Sequence, residues 1–156
     1  MHTRVRLPRF GRALGYHYPS ADALVGAAGN EVYRLNLDQG RYLAPYTLGL
    51  QGNTVRGCNA IDVNPAHGLL SFGTDGSGVV ELWDPRMRRQ AGSLSVATRT
   101  VLDAALLAAR RQLPGVQLGE DADAEAVAQA SSTLAVTSLA SAADGLNLAV
   151  GTNTGH

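Results

Sequence analysis

The sequence predicts an all-β chain built from a repeated unit of four short strands, and three observations carry that prediction. A short apolar run ending in glycine occurs three times, as Ala23-Leu24-Val25-Gly26, Leu70-Ser71-Phe72-Gly73 and Leu148-Ala149-Val150-Gly151. After the first two glycines the pattern continues at equal spacing, Val32 matching Val79 and Leu35 matching Leu82. These positions lie in two strand-like runs, Glu31-Val32-Tyr33-Arg34-Leu35-Asn36 and Val79-Val80-Glu81-Leu82-Trp83-Asp84. Third, 18 glycines and an aromatic share of only 5% suit short strands joined by tight turns better than long helices.

Each unit fills in on both sides of its glycine. Upstream, residues 14–18 and 60–64 read as extended, each followed by turn chemistry, Pro19-Ser20-Ala21-Asp22 and Pro65-Ala66-His67-Gly68. Downstream come the turns Asp38-Gln39-Gly40-Arg41 and Asp84-Pro85-Arg86-Met87, the second with Asp and Pro where a type I turn prefers them. Fourth strands are expected at 42–45 and 90–94. Four antiparallel strands make a propeller blade. The pair Trp83-Asp84 closing a third strand is the WD signature, in which an indole packs between blades and the acid starts a turn, and Asn36-Leu37 repeats it in position.

Gly26 and Gly73 lie 47 residues apart, slightly more than the roughly 40 to 45 of a WD40 repeat. A loop at 49–57 takes up the excess. The next interval, from Gly73 to Gly151, is 78 residues and so contains an insertion. Within it, Leu102, Leu106, Ala109 and Leu113 stand at helical spacing before Pro114-Gly115, predicting an inserted α-helix over 100–113. Residues 119–132, with Glu120, Asp121, Asp123 and Glu125 among alanines, read as a mobile, solvated loop. The third unit's third strand is expected from position 157, past His156. The chain therefore reads as a partial WD40-type β-propeller, a section of a longer one with two full blades plus half of a third. Residues 1–10 end a preceding blade, 11–48 and 58–95 are blades, 96–133 are the insertion, and 134–156 begin a third blade.

Composition removes several function classes. The formal net charge is zero, so no whole-molecule field draws the chain to nucleic acid or membrane. All 13 basic residues are arginine, which excludes a phosphate-loop lysine and a Schiff-base lysine. Cys58 stands alone, so neither an internal disulfide nor a multi-cysteine zinc site can form, and a reducing compartment is the natural setting. Residues 1–12 carry four arginines and no signal-peptide run, and the most apolar later stretch, 101–109, contains Asp103 and is far short of a membrane span.

The chemistry-bearing candidates are few. Gly73-Thr74-Asp75-Gly76-Ser77-Gly78 resembles a nucleotide loop only superficially, because a strand follows it where a helix is needed. His17, Ser20 and Asp22 crowd one turn, where triad geometry about a substrate is not expected. His17 and His67 are expected to face solvent, and Cys58 to fill the core. No catalytic, metal or cofactor set emerges. Arg4, Arg6, Arg9 and Arg12 precede any acidic residue, and Arg86, Arg88 and Arg89 cluster on a turn. Both groups are candidate contacts for RNA or protein, since guanidinium groups fork onto phosphate or carboxylate.

The string Arg6-Leu7-Pro8-Arg9-Phe10-Gly11-Arg12, residues 24–43 from Leu24-Val25-Gly26 to Arg41-Tyr42-Leu43, and Glu81-Leu82-Trp83-Asp84-Pro85-Arg86 closely resemble the nucleolar protein 10 family. The likeness spans 4–94 and resumes over 138–155. It implies a nucleolar WD40 scaffold of the small-subunit processome, needed for 18S ribosomal RNA maturation and without a catalytic site or cofactor. The partners it implies are homologues of neuroguidin and of the apoptosis-antagonising transcription factor, together with pre-ribosomal RNA, and no membrane. Members carry further blades on both sides of this stretch and a charged C-terminal tail, and the 96–133 insertion is longer than the family pattern at that place. Another adaptor class on the same fold, such as a ubiquitin-ligase substrate receptor, is the alternative; a propeller hydrolase would need converging acids or metal ligands that the spacing does not supply.

Overall fold

Every strand of the computed structural model pairs antiparallel with its neighbour in sequence, as tight turns between short extended runs dictate. The structure describes residues 6, 7, 9–97 and 132–155. The first sheet holds β1 (Gly11–His17), β2 (Asp22–Ala27), β3 (Glu31–Asn36) and β4 (Arg41–Thr47) in sequence order. The second repeats that order with β5 (Gly57–Val63), β6 (Leu70–Asp75), β7 (Val79–Asp84) and β8 (Arg89–Ser95). A third, two-stranded sheet contains β9 (Val136–Ser141) and β10 (Leu148–Thr152). β1 packs on β5 and β5 on β9, so the first strand of each sheet faces the first strand of the next, as in a partial β-propeller. The helix expected over 100–113 lies outside the described residues, as does the loop expected over 119–132 apart from Ser132.

Several strand edges differ from the sequence reading, and the fourth strands run longer than expected, over Arg41–Thr47 and Arg89–Ser95. β1 starts at Gly11 rather than Leu14, and Tyr18 leaves the strand for a single 3-10 turn, Tyr18–Ser20, closed by Ala21 in the left-handed region at φ 54°. Pro19 cannot donate to a ladder, so the chain turns there. Gly57, expected in a loop, already pairs with Asp75 as the first residue of β5.

The repeat is also out of step by one residue across its second hairpin. Gly26 pairs with Val32, but Gly73 pairs with Val80, not Val79. Farther along, Asn36 pairs with Arg41 as Asp84 pairs with Arg89. The true equivalents are thus Val32 with Val80, Leu35 with Trp83 and Asn36 with Asp84. The extra residue sits in the β6–β7 turn, where Gly76 and Gly78 both take positive φ (121° and 62°) against the single Gly29 (96°) of the β2–β3 turn. A one-residue slip reverses the face of every later side chain. Burial confirms the corrected register, since Val32 and Val80 are both fully buried while Val79 is half-buried.

The principal core lies in the seam between the first two sheets, where Leu24, Val32, Tyr46 and Leu48 meet Cys58, Leu70, Phe72 and Trp83. The recurring glycine has a physical reason there. A Cβ on Gly26 would lie 2.7 Å from the Cys58 carbonyl oxygen, and one on Gly73 would lie 2.5 Å from Val136 Cγ1. Each glycine lets the next sheet's first strand cross at close range. Backbone links repeat at both seams: bridges join Ala28 to Gly57 and Asp75 to Ala135. Beside them, Gly29 N–H donates to the Arg56 carbonyl (2.8 Å) and Gly76 N–H to the Leu134 carbonyl (3.2 Å).

Candidate functional site

The WD pair sits at the seam. Trp83 is buried, with its ring edge-on to Tyr46 at 5.4 Å, and Tyr46 in turn tilts against Phe72 at 5.5 Å. Asp84 Oδ1 accepts the Arg86 backbone N–H (3.0 Å), while Asn36 Oδ1 accepts that of Gln39 (2.9 Å). Hydrogen bonding to the Arg86 N–H is the main reason the Asp84 carboxyl titrates below its usual range. Glu81, fully buried beside Trp83 on the same face of β7, accepts the Gly49 N–H at 2.8 Å and ties the 48–56 loop to the second sheet.

The arginines of the turn at 84–89 do not form one free patch. Arg86 pairs with Asp84. Arg88 reaches back to the first sheet, donating to the carbonyls of Ala44 (2.8 Å) and Pro45 (3.3 Å), with its guanidinium 5.5 Å from the centre of the Tyr46 ring. It holds φ 51° at the position where the first sheet has Gly40 at 62°, so its side-chain contacts hold a backbone shape that glycine adopts without strain. Arg89 is exposed.

The N-terminal arginines divide as well. Arg12 donates to Asn59 Oδ1 (3.2 Å) and Asp75 Oδ2 (3.4 Å), and Asp75 also receives Arg56 (3.5 Å), which makes a charged clasp across the seam. Arg6 and Arg9 are exposed, with the Arg9 guanidinium over Gly29. Together with Arg12, Phe10 and Tyr42 they line an open groove of about 1030 Å³ against the first sheet. Phe10 is 96% exposed, and Tyr42 is held edge-on by Tyr33 at 6.4 Å. Arg4 lies outside the described residues.

A polar network that the sequence reading missed closes the other end of the first sheet. His17 is only 5% exposed, contrary to the expectation that it faces solvent, because Ser20 and Asp22 fold back onto it around Pro19. Ser20 Oγ donates to Asp22 Oδ2 (2.7 Å), so its contact with His17 Nδ1 (2.6 Å) must be accepted from the ring N–H. Arg34 also donates to Asp22 Oδ2, and Asn36 Nδ2 donates to Asp22 Oδ1 (2.9 Å) and the Ser20 carbonyl (2.9 Å). The order His–Ser–Asp is wrong for nucleophilic catalysis, since the hydroxyl proton points at the acid rather than at a base. Burial pushes the Asp22 carboxyl up, but hydrogen bonds from Arg34, Ser20 and Asn36, with the Arg34 charge, outweigh it and hold the group below its ordinary range. Burial lowers His17, the Arg34 charge adds to that, and Asp22 pulls the other way. The only sequence signal was a cluster of short polar residues around a proline, which also describes a solvated turn. His67, in the corresponding turn of the second sheet, is exposed.

Cys58 is completely buried, and burial pushes its thiol up to about 12. Among the described residues no three His, Cys, Asp or Glu side chains stand close enough to hold a metal ion, and no helix is long and apolar enough to cross a membrane.

The family model described as the nucleolar protein 10-like N-terminal domain matches residues 1–156. The ribosome biogenesis protein enp2 homolog of Schizosaccharomyces pombe is 50% identical over 98 residues, covering 62% of this chain and 15% of that protein. Nucleolar protein 10 of Mus musculus is 47% identical over 98 residues, covering 63% of this chain and 13% of that protein. For ribosome biogenesis protein ENP2 of Saccharomyces cerevisiae the values are 45% over 94 residues, 60% and 12%. The aligned part of the chain thus spans 12% to 15% of the length of these relatives. The crystal structure of RRP9 WD40 repeats superposes with a TM-score of 0.50 at 12% identity, over 58% of this chain and 27% of that one, which is a likeness of fold.

Proposed function

Because the chain belongs to the nucleolar protein 10-like family, we propose that it serves as a non-enzymatic WD40 scaffold of ribosome biogenesis in the nucleolus. The single observation that carries this reading is the family match along all of residues 1–156. The relatives named for ribosome biogenesis or the nucleolus support it. The side-chain chemistry is consistent with it: the buried acids, the histidine and several arginines join turns and sheets to one another, and the exposed polar surface is left for docking. The finer part of the proposal is work within the small-subunit processome on the path to 18S ribosomal RNA. There the chain would hold homologues of neuroguidin and of the apoptosis-antagonising transcription factor, with pre-ribosomal RNA alongside.

Sedimentation of the tagged full-length protein from nuclear extract tests the proposal. Co-migration with large pre-ribosomal particles is the expected result. A protein that stays at the top of the gradient, or that co-purifies with a ubiquitin-ligase scaffold instead, would refute it.

A further inference from the structure

Five buried side-chain nitrogen and oxygen atoms have no hydrogen-bond partner among the described residues, and three of them gather in the seam between the first two sheets: Glu81 Oε1, Trp83 Nε1 and Asn53 Nδ2. Glu81 is fully buried, and its other oxygen accepts the Gly49 N–H at 2.8 Å. Trp83 is buried two residues farther along the same strand, on the same face. Asn53 arrives from the loop. Gly52 N–H donates to the Gly49 carbonyl (3.2 Å), which closes a turn and returns the chain so near that a Cβ on Gly49 would lie 2.9 Å from the Asn53 carbonyl oxygen. One acceptor and two donors thus stand beside a single turn without bonding one another. No basic side chain pairs with Glu81 among the described residues. Both sheets at this seam have all four strands, so the burial does not depend on what lies beyond either of them.

We propose that this place is a binding site for one ordered water molecule, which donates to Glu81 Oε1 and accepts the N–H groups of Trp83 and Asn53. A buried polar group left unpaired carries its whole desolvation penalty, so native interiors pair such groups with protein or with ordered water. Water fits the donor set. It offers two hydrogens and two lone pairs, and a buried water makes about three hydrogen bonds. A metal cation would suit the carboxyl oxygen but would be repelled by the two N–H groups, which are donors only. An anion would suit the N–H groups and be repelled by the carboxyl. The bridge has a consequence for the loop that leads into the second sheet. Gly49 is held to Glu81 directly and Asn53 through the water, so both arms of the turn are tied to β7 while Leu50 at its tip stays 67% exposed. Glu81 is therefore a positioning residue for the 48–56 loop.

Hydrogen–deuterium exchange of the full-length protein, read by mass spectrometry on peptides spanning residues 48–56, tests the bridge by its sign. With water linking Asn53 to Glu81, Asn53→Ala breaks a tie, and exchange should speed up about 2- to 12-fold, the net worth of one hydrogen bond expressed as a rate. Were Nδ2 an unpaired buried donor, its removal would relieve a penalty and exchange would slow. Glu81→Gln separates chemistry from packing. The shape is kept, but an amide N–H replaces one of the two acceptor oxygens among groups that all donate, so exchange should again accelerate. Unchanged or slower exchange in Asn53→Ala overturns the proposal, and so does unchanged exchange in Glu81→Gln. A density map of the full-length protein at a resolution that shows water gives the direct check. The expected result is one peak within hydrogen-bond distance of Glu81 Oε1 and of at least one of the two N–H donors. A direct bond from Trp83 or Asn53 to Glu81 Oε1, with no peak between them, refutes the site.

Discussion

Replacing Gly73 with alanine tests the account of the repeated glycine directly. The added Cβ would lie 2.5 Å from Val136 Cγ1, 3.0 Å from Val136 Cβ and 3.2 Å from Ala60 Cβ. The first distance is far inside van der Waals contact, and both neighbours stand on strands, so relief requires the second and third sheets to separate. Overpacking of this kind costs about 1–3 kcal/mol. The φ of Gly73 is not in the left-handed region, so the penalty is steric and not conformational. Gly92 is the control: a Cβ there meets nothing within 4 Å, and Gly92→Ala should be neutral or stabilise by up to about 1 kcal/mol. Val136→Ala alone deletes two buried methyl groups at about 0.8 kcal/mol each, before any cavity term. Combining it with Gly73→Ala removes the clashing atom, so the double variant should be more stable than the sum of the singles by about 0.5–3 kcal/mol. Urea unfolding of the four variants measures each quantity. If Gly73→Ala melts like Gly92→Ala, or if the double variant is simply additive, the close crossing of the sheets does not explain the glycine.

Three further outcomes follow from the same geometry. Arg88→Ala loses the bonds to Ala44 and Pro45 and keeps the left-handed backbone, whereas Arg88→Gly loses the bonds and the strain together. Arg88→Gly should therefore be more stable than Arg88→Ala by about 1 kcal/mol in chemical denaturation; the reverse order would show that the backbone is not strained. Because burial holds His17 below its ordinary 6.5, the unfolded chain takes up that proton more readily, and stability should fall as pH drops below 6.5. Asp22, held below its ordinary 3.8, gives stability that is present above that value and lost as pH falls through its folded pKa. Thermal melts of His17→Gln against pH should lose the upper decline and keep the lower, and an unchanged upper decline would acquit His17. Finally, Cys58, buried with its thiol pushed up to about 12, should resist maleimide at neutral pH until the chain unfolds, so rapid labelling of folded protein would contradict the seam packing.

What the sequence revealed and what it hid divide along a physical line. Strand existence was legible because it rests on local alternation and turn residues, and Val79-Val80-Glu81-Leu82-Trp83-Asp84 forms β7 with the expected bounds. Register was legible only where both repeats have turns of equal length. Reading equal spacing through the β6–β7 turn matched Val79 to Val32, although Val80 is the equivalent, because one extra residue in a glycine turn changes the register while leaving the apolar pattern almost intact. That slip also concealed a substitution of role: Asn36, not Leu37, holds the place of Asp84. Asparagine suits that place for a reason outside its own hairpin. Its Oδ1 starts the turn as Asp84 does, while its Nδ2 donates to Asp22, where a second carboxylate would repel.

The same contrast explains the arginines. Clustering in sequence marked Arg86, Arg88 and Arg89 and the four N-terminal arginines as equivalent surfaces, because charge is visible in a sequence and its partner is not. The partners of Arg88 are carbonyl groups 43 and 44 residues earlier, and those of Arg12 are side chains 47 and 63 residues later. Only folding brings them together. An arginine that already satisfies carbonyls or a carboxylate must give up those bonds to meet a ligand. Engagement, more than local charge density, thus separates the arginines within each cluster, and it predicts that Arg88→Ala lowers the melting temperature while Arg89→Ala, at an exposed position, leaves it unchanged. Equal effects of the two substitutions on the melting temperature would show that clustering alone had been a sufficient guide.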